Sequence, residues 1–106
     1  EMNKKENNLG LVLTYLEELI ASKKTANSSG YTNKLIKGNL NKIIQKVGEE
    51  SVEVLIEATL KNRKKTIYES ADLLYHLLVM WNKLNINLKD IAKELNRRKK
   101  WDINGL

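Results

Sequence analysis

Carboxylate side chains recur at helical spacing in two segments of this chain, as Glu50-x-x-Glu53 and as Glu69-x-x-Asp72. Residues three apart lie on the same face of an α-helix, so each pair presents two carboxylates side by side. Two such helices packed antiparallel would offer four hard oxygen donors across one gap. That donor set suits Mg²⁺, with Mn²⁺ as the alternative ion. A dedicated zinc site is disfavoured because the chain has one histidine and no cysteine.

The segment around Glu50 predicts a helix that is apolar over most of its surface. Between Gly48 and Leu60 it carries four glutamates and no cation, although like charges one turn apart are unfavourable on a helix. The acidic stripe is therefore either an ordinary solvated face or the lining of a cleft between helices, where Lys46 could neutralise one or two carboxylates. The broad apolar face comprises Leu40, Ile43, Ile44, Val47, Ser51, Val54, Leu55 and Ala58, and Val52, Ile56 and Leu60 extend it around the flank.

The segment around Glu69 predicts a second helix whose apolar residues cover nearly the whole circumference. Glu69, Asp72 and His76 share its one remaining stripe, and no lysine lies between Thr66 and Asn82. A carboxylate in such surroundings loses hydration at a cost of several kcal/mol unless it is paired or bound to a cation. For His76, packing with a hydrogen bond to a neighbouring helix is favoured over metal ligation, and a role just outside the metal ligands stays open.

Five helical segments are predicted from apolar periodicity and capping residues, and no strand-like alternation of useful length is present. Short connections favour an all-α, antiparallel bundle of four to five helices in a single domain, residues 1–106. Residues 1–8 and 100–106 are expected to be flexible or peripheral. The predicted helices are Leu9 to about Lys24, a short turn capped by Thr32 and ended by Gly38, Leu40 (capped by Asn39) to Lys61, about Lys65 to Leu84, and Leu88 (capped by Asn87) to about Lys99.

Composition narrows the class of protein further. The chain is 42% hydrophobic and 30% charged, as folded domains are. The absence of cysteine favours a reducing, cytoplasmic location, and neither a membrane span nor a signal peptide is predicted. The net charge of +6 fits either an anionic partner or a lysine-rich surface that maintains solubility.

The two acidic segments together resemble a known family. KVGEESVEVLIEA (residues 46–58) followed by ESADLLYHLLVMW (residues 69–81) is similar to phosphoribosyl-ATP pyrophosphohydrolases of histidine biosynthesis, and more widely to the all-α MazG-type nucleotide pyrophosphohydrolases. The E-E-x-x-E signature of that superfamily falls on 49–53 and its E-x-x-D on 69–72. YTNKL (31–35) and LKDIAKEL (88–95) also fit the phosphoribosyl-ATP branch, except that Gly30 stands where the family usually has serine.

The resemblance implies a cytoplasmic enzyme that hydrolyses the α–β phosphoanhydride of 1-(5-phosphoribosyl)-ATP to phosphoribosyl-AMP and pyrophosphate. It also implies a Mg²⁺ requirement and a homodimer, for which the excess apolar surface at Val52, Ile56 and Leu60 is an independent indication. In some organisms this enzyme is the C-terminal domain of a fusion with the cyclohydrolase that catalyses the next step. A chain that begins at Glu1 is compatible with being such a domain.

The resemblance also implies residue roles. Glu50, Glu53, Glu69 and Asp72 are expected to bind the metal, with Glu49 placed for outer-shell work or proton acceptance. Tyr31 and Thr32 are substrate-contact candidates, although a core tyrosine and a helix cap explain them nearly as well. Four lysines are candidates for binding phosphate groups: Lys34, Lys37, Lys42 and Lys46. All of them except Lys46 could equally be ordinary surface lysines.

Two other functions remain open at this point. A MazG-type enzyme could hydrolyse canonical or damaged nucleoside triphosphates as a house-cleaning activity. A basic helical module could instead bind nucleic acid through its lysines, but such a module has no need of a buried acidic stripe, so no nucleic-acid partner is expected.

Overall fold

The computed structural model describes residues 7–25 and 29–98, which form five α-helices and no strand. The all-α prediction is therefore confirmed. Most of the two ends that were expected to be flexible or peripheral lie outside the described residues. The helices are α1 (Leu9–Lys23), α2 (Tyr31–Lys37), α3 (Leu40–Thr59), α4 (Arg63–Lys83) and α5 (Leu88–Arg97).

Four of the five helices begin at an asparagine whose side chain accepts a hydrogen bond from a backbone N–H of the first turn. Asn39 and Asn87 cap α3 and α5 as predicted, and Asn87 forms a reciprocal capping box with Asp90. Asn62 is a cap that the sequence reading missed. Because of it α4 begins at Arg63, about one half-turn before the predicted start.

The predicted cap of α2 is wrong. The helix begins at Tyr31 with Gly30 as its N-cap, and Thr32 lies inside the first turn, where its hydroxyl pairs with that of Tyr75. The predicted end at Gly38 is confirmed. A Cβ at Gly38 would lie 2.9 Å from the carbonyl oxygen of Lys34, too close for any side chain without a shift of backbone.

The antiparallel pair of α3 and α4 forms the centre of the bundle, joined by residues 60–62. Lys61 adopts a left-handed conformation there, with φ of 56°. Helix α1 packs on α4, α2 bridges α1 and α4, and α5 lies against α1. The buried core, drawn from the first four helices, consists of Ile20, Leu35, Ile36, Ile43, Leu78 and Val79.

Much apolar surface on α3 stays outside this core. Val52, Leu55, Ile56 and Leu60 are all more than half exposed, and Leu60 reaches 69%. Together with Thr59 they line an open apolar depression. Within the described ranges, no helix has the length and apolar character that crossing a membrane requires.

Candidate active site

Glu50 is the residue at which the two acidic helices meet. One oxygen each from Glu50, Glu53 and Glu69 lies within 4.8 Å of the others, and the same limit holds for Glu50, Asp72 and His76. The four carboxylates predicted as metal ligands thus form two overlapping groups that share Glu50, across the interface between α3 and α4. The spacing of three residues on each helix produces this arrangement, since both pairs face the same gap.

Glu50 is buried, with 5% of its surface exposed. Its Oε2 lies 3.5 Å from Nζ of Lys46, but Oε1 has no hydrogen-bond partner among the described residues, and neither does the buried Oε1 of Glu69. A buried carboxylate oxygen without a donor or cation is costly. Two such oxygens in one acidic cluster fit a hard divalent cation, which prefers carboxylate ligands.

Asp72 shows the same shortage of positive charge. Burial raises the pKa of its carboxyl group. A hydrogen bond with Glu50 and the like charge of Glu50 raise that pKa further, and the opposing effects of His76 and Lys46 offset the rise only in part. Carboxyl groups held this close cannot all ionise without a counter-charge. The site therefore favours either a proton or a cation.

Lys46 and Glu49 lie at the edge of the cluster. Desolvation alone would lower the pKa of Lys46, but Tyr31, Glu50 and Glu49 raise it overall, so the ammonium stays charged. Glu49 is exposed, accepts a hydrogen bond from Gln45 at 3.0 Å and lies 3.9 Å from Lys46. It belongs to neither of the two groups around Glu50, in line with the less central role expected for it.

Helix α2 supplies the wall beside the carboxylates. The hydroxyl of Tyr31 lies 2.8 Å from Nε2 of His76, and the hydroxyl of Thr32 pairs with that of Tyr75. The Tyr31 side chain is not the core residue that one alternative supposed, since Tyr31 is 54% exposed. Desolvation raises the pKa of its hydroxyl. Lys46 opposes this rise, whereas Tyr75, Asp72 and Glu50 add to it, so the charges of the acidic cluster affect the Tyr31 hydroxyl.

The other predicted phosphate-binding lysines are not part of the cluster. Lys34 and Lys37 lie on α2 and Lys42 in the first turn of α3, all exposed. The sequence reading missed Lys83, whose Nζ donates to the carbonyl oxygens of Ile36 at 2.6 Å and Gly38 at 2.7 Å and so anchors the end of α2. It also missed Tyr75. Their partners lie more than 40 positions away, and neither residue stands out by local spacing.

Comparison with known proteins identifies the family. The sequence model of the family "Phosphoribosyl-ATP pyrophosphohydrolase" matches residues 13–99, which include both acidic helices and helix α2 with Tyr31. The chain belongs to this family.

Relatives in the phosphoribosyl-ATP pyrophosphohydrolase family fall into two kinds. The phosphoribosyl-ATP pyrophosphatase of Pyrobaculum aerophilum is 49% identical over 74 residues, which are 70% of this chain and 79% of that protein. The one from Gluconobacter oxydans is 47% identical over 89 residues, 83% of this chain and 67% of that protein. The histidine biosynthesis bifunctional protein HisIE of Campylobacter jejuni is 43% identical over 89 residues, 83% of this chain but only 43% of that protein. The matched region thus makes up most of the two pyrophosphatases and less than half of the bifunctional protein.

Proposed function

We propose that this protein hydrolyses the α–β phosphoanhydride of 1-(5-phosphoribosyl)-ATP, giving 1-(5-phosphoribosyl)-AMP and pyrophosphate, in histidine biosynthesis. The observation that carries the proposal is the buried carboxylate of Glu50, which has one oxygen without a partner among the described residues. It forms one close group with Glu53 and Glu69 and another with Asp72 and His76. Membership of the phosphoribosyl-ATP pyrophosphohydrolase family supports the choice of substrate. The names of the relatives support it as well.

The proposed cofactor is Mg²⁺, which Mn²⁺ could replace, held by Glu50, Glu53, Glu69 and Asp72. When bound, the ion supplies positive charge that offsets the negative charge of the phosphates in the transition state. The four carboxylates would fix its position, since they are held by α3 and α4, the most extensively packed pair of helices. The unpartnered oxygens of Glu50 and Glu69 are the donors that such an ion would satisfy.

The remaining residues act on the water and on the substrate. A water oxygen adds to one phosphorus of the anhydride, the bond from that phosphorus to the bridging oxygen breaks, and the products phosphoribosyl-AMP and pyrophosphate separate. Glu49, exposed at the edge of the cluster, accepts the proton of that water. Lys46 lies close enough to Glu50 to balance charge there and to contact a phosphate group. The proposed contacts to the phosphate groups, including the 5′-phosphate, are Lys34, Lys37 and Lys42. Tyr31 and Thr32 are the proposed contacts to other parts of the nucleotide.

A homodimer is the proposed assembly, because Leu55 and Leu60 lie on an apolar face that the described residues leave exposed. The location is proposed to be cytoplasmic. The proposed functional partner is phosphoribosyl-AMP cyclohydrolase, either fused to this protein or working beside it, and the bifunctional HisIE relatives support this pairing.

A pyrophosphate-release assay tests the function. Purified protein is given phosphoribosyl-ATP with Mg²⁺ and, in parallel, with excess chelator, and we expect release only with the metal. Canonical nucleoside and deoxynucleoside triphosphates form the comparison panel. Faster hydrolysis of that panel than of phosphoribosyl-ATP would favour the house-cleaning function instead. Asp72→Asn should abolish release while circular dichroism shows unchanged helix content.

A further inference from the structure

His76 is the only histidine of the chain, and both of its ring nitrogens are engaged. It is 3% exposed. Nδ1 lies 2.8 Å from the backbone carbonyl oxygen of Asp72, one turn earlier on α4, and Nε2 lies 2.8 Å from the hydroxyl of Tyr31 on α2. A carbonyl oxygen only accepts hydrogen bonds, so Nδ1 must carry a proton. In the neutral ring Nε2 is then an acceptor, and Tyr31 donates to it.

This arrangement argues against metal ligation by His76, although it lies in the group formed with Glu50 and Asp72. Ligation needs a free lone pair on nitrogen. Nδ1 has none while protonated, and the lone pair of Nε2 is directed to Tyr31. The carboxylate oxygen Oδ1 of Asp72 is 3.4 Å from Nδ1, farther than the backbone oxygen that Nδ1 contacts.

Two tyrosines hold the imidazole ring in place. Tyr75 and Tyr31 both meet it edge-on, with ring centroids 5.2 Å and 6.0 Å away and interplanar angles of 87° and 76°. Since Tyr75 also pairs with Thr32, two successive residues of α2 are joined to two successive residues of α4. The ring of Tyr31 remains largely exposed beyond this contact. These contacts between α2 and α4 thus fix the direction of the Tyr31 hydroxyl at the edge of the acidic cluster.

We propose that His76 is a positioning residue that acts through Tyr31: as the neutral Nδ1–H tautomer its Nε2 accepts a hydrogen bond from the Tyr31 hydroxyl, which turns the lone pairs of the Tyr31 oxygen towards the site. The Tyr31 oxygen then serves as an acceptor, so the group that it contacts on the nucleotide is a hydroxyl or amino donor and not a phosphate oxygen. The tautomer follows from the geometry alone. The contact to the nucleotide rests on the proposed function.

Nitrogen NMR on the uniformly ¹⁵N-labelled, metal-free protein tests the tautomer without any activity measurement. With one histidine, the imidazole signals need no assignment. At a pH where the ring is neutral we expect Nδ1 to be protonated and Nε2 unprotonated, the less common form in free histidine. Tyr31→Phe should shift the Nε2 resonance of His76. The control is Tyr68→Phe, which changes an exposed tyrosine on α4, the helix that carries His76; it should shift neither the Nδ1 nor the Nε2 resonance. A protonated Nε2 would overturn the proposal, because Tyr31 would then be free to donate to a phosphate.

Kinetics of two variants separate the two contacts of the ring. His76→Gln places an amide near the Nε2 position and can still accept from Tyr31, whereas His76→Asn places one near Nδ1 and cannot. We expect His76→Asn and Tyr31→Phe each to raise KM by about 3- to 10-fold, the effect of one hydrogen bond, with kcat within about twofold of wild type. His76→Gln should lie closer to wild type, and the double variant of His76→Asn and Tyr31→Phe should be no worse than either single one.

Additive losses in the double variant would overturn the coupling between His76 and Tyr31. A His76→Asn variant that loses Mn²⁺ affinity with unchanged KM would make the histidine a metal ligand instead. If His76→Asn does not fold by circular dichroism, the Nε2 shift in Tyr31→Phe decides the question. If the wild-type protein releases no pyrophosphate, the proposed function fails, but the NMR result still accepts or rejects the positioning of Tyr31.

Discussion

Nζ of Lys46 lies 3.5 Å from Oε2 of Glu50, one turn along α3, while Oε1 of the same carboxylate has no partner in residues 7–25 and 29–98. The lysine is one-third exposed and the glutamate buried. Among the residues that the structure describes, Lys46 is the lysine that pairs with this cluster of four carboxylates. One oxygen of Glu50 is therefore paired within the described residues, and the other is available to a ligand.

Glu50→Gln should weaken Mn²⁺ binding at least about 100-fold, above the range typical of residues that only support a metal ligand. The reason is that Glu50 belongs to both carboxylate groups. Isothermal titration calorimetry with Mn²⁺ measures the effect. Glu94→Gln is the control, because Glu94 of α5 pairs with Arg97 and with Arg98, the C-cap of that helix, away from the cluster. Equal affinity in wild type and Glu50→Gln would rule out the assignment of Glu50 as a ligand.

Lys46→Met should destabilise the metal-free protein because it leaves the buried Glu50 without its cation. Since Lys46 is one-third exposed, solvent screens the pair, and we expect a loss of about 1 kcal/mol or less in the free energy of unfolding. Added Mg²⁺ should restore more stability to this variant than to wild type. Lys42→Met, an exposed lysine one turn earlier, should change neither quantity. Urea denaturation with chelator and with Mg²⁺ makes the comparison.

The pH dependence of stability should report Asp72. Burial and Glu50 raise the pKa of this carboxyl in the folded protein above its ordinary value of 3.8, so the folded state holds the proton more tightly than the unfolded state does. The free energy of unfolding must then fall as pH rises from about 4 through the folded-state pKa. Asp72→Asn should remove that fall and make the metal-free protein more stable than wild type at neutral pH, although we expect the same substitution to abolish metal binding.

Urea denaturation across this pH range, with chelator present, tests the sign. The two proteins should converge in stability at the acidic end, where Asp72 is protonated in both the folded and unfolded states. An Asp72→Asn variant that is less stable than wild type at neutral pH would show that the carboxylate is already compensated within the fold.

Leu55→Glu should disrupt the proposed homodimer, because it places a charge at the centre of the exposed apolar face of α3. Light scattering coupled to gel filtration should find wild type at twice the chain mass of 12.2 kDa and Leu55→Glu at that mass itself. Tyr15→Glu, at an exposed aromatic residue of α1, is the matched control and should remain dimeric. A monomeric wild-type protein would contradict the assembly outright.

Local sequence rules predicted most of the helices because their causes are local. Apolar periodicity located the four longer helices, a glycine stop marked the end of α2, and asparagine caps fixed the starts of α3 and α5. The predicted helix ends were wrong by one or two residues. For example, α4 begins at Arg63 and not at about Lys65, because Asn62 and the basic residues after it were interpreted as a turn, whereas Asn62 is the N-cap. Thr32 was misjudged for a different reason: its hydroxyl is used by Tyr75, 43 positions away, and no local rule contains that partner.

The sequence by itself determined which carboxylates share a helix face, because a spacing of three residues does so in any α-helix. It also pointed to the family through those same residues. Only the tertiary structure decided that Glu50 is the buried member common to both groups, that Glu49 stays outside them, and that His76 is joined to Tyr31. Burial and pairing between helices depend on how α2, α3 and α4 pack, and packing joins residues whose separation along the chain carries no periodic signal.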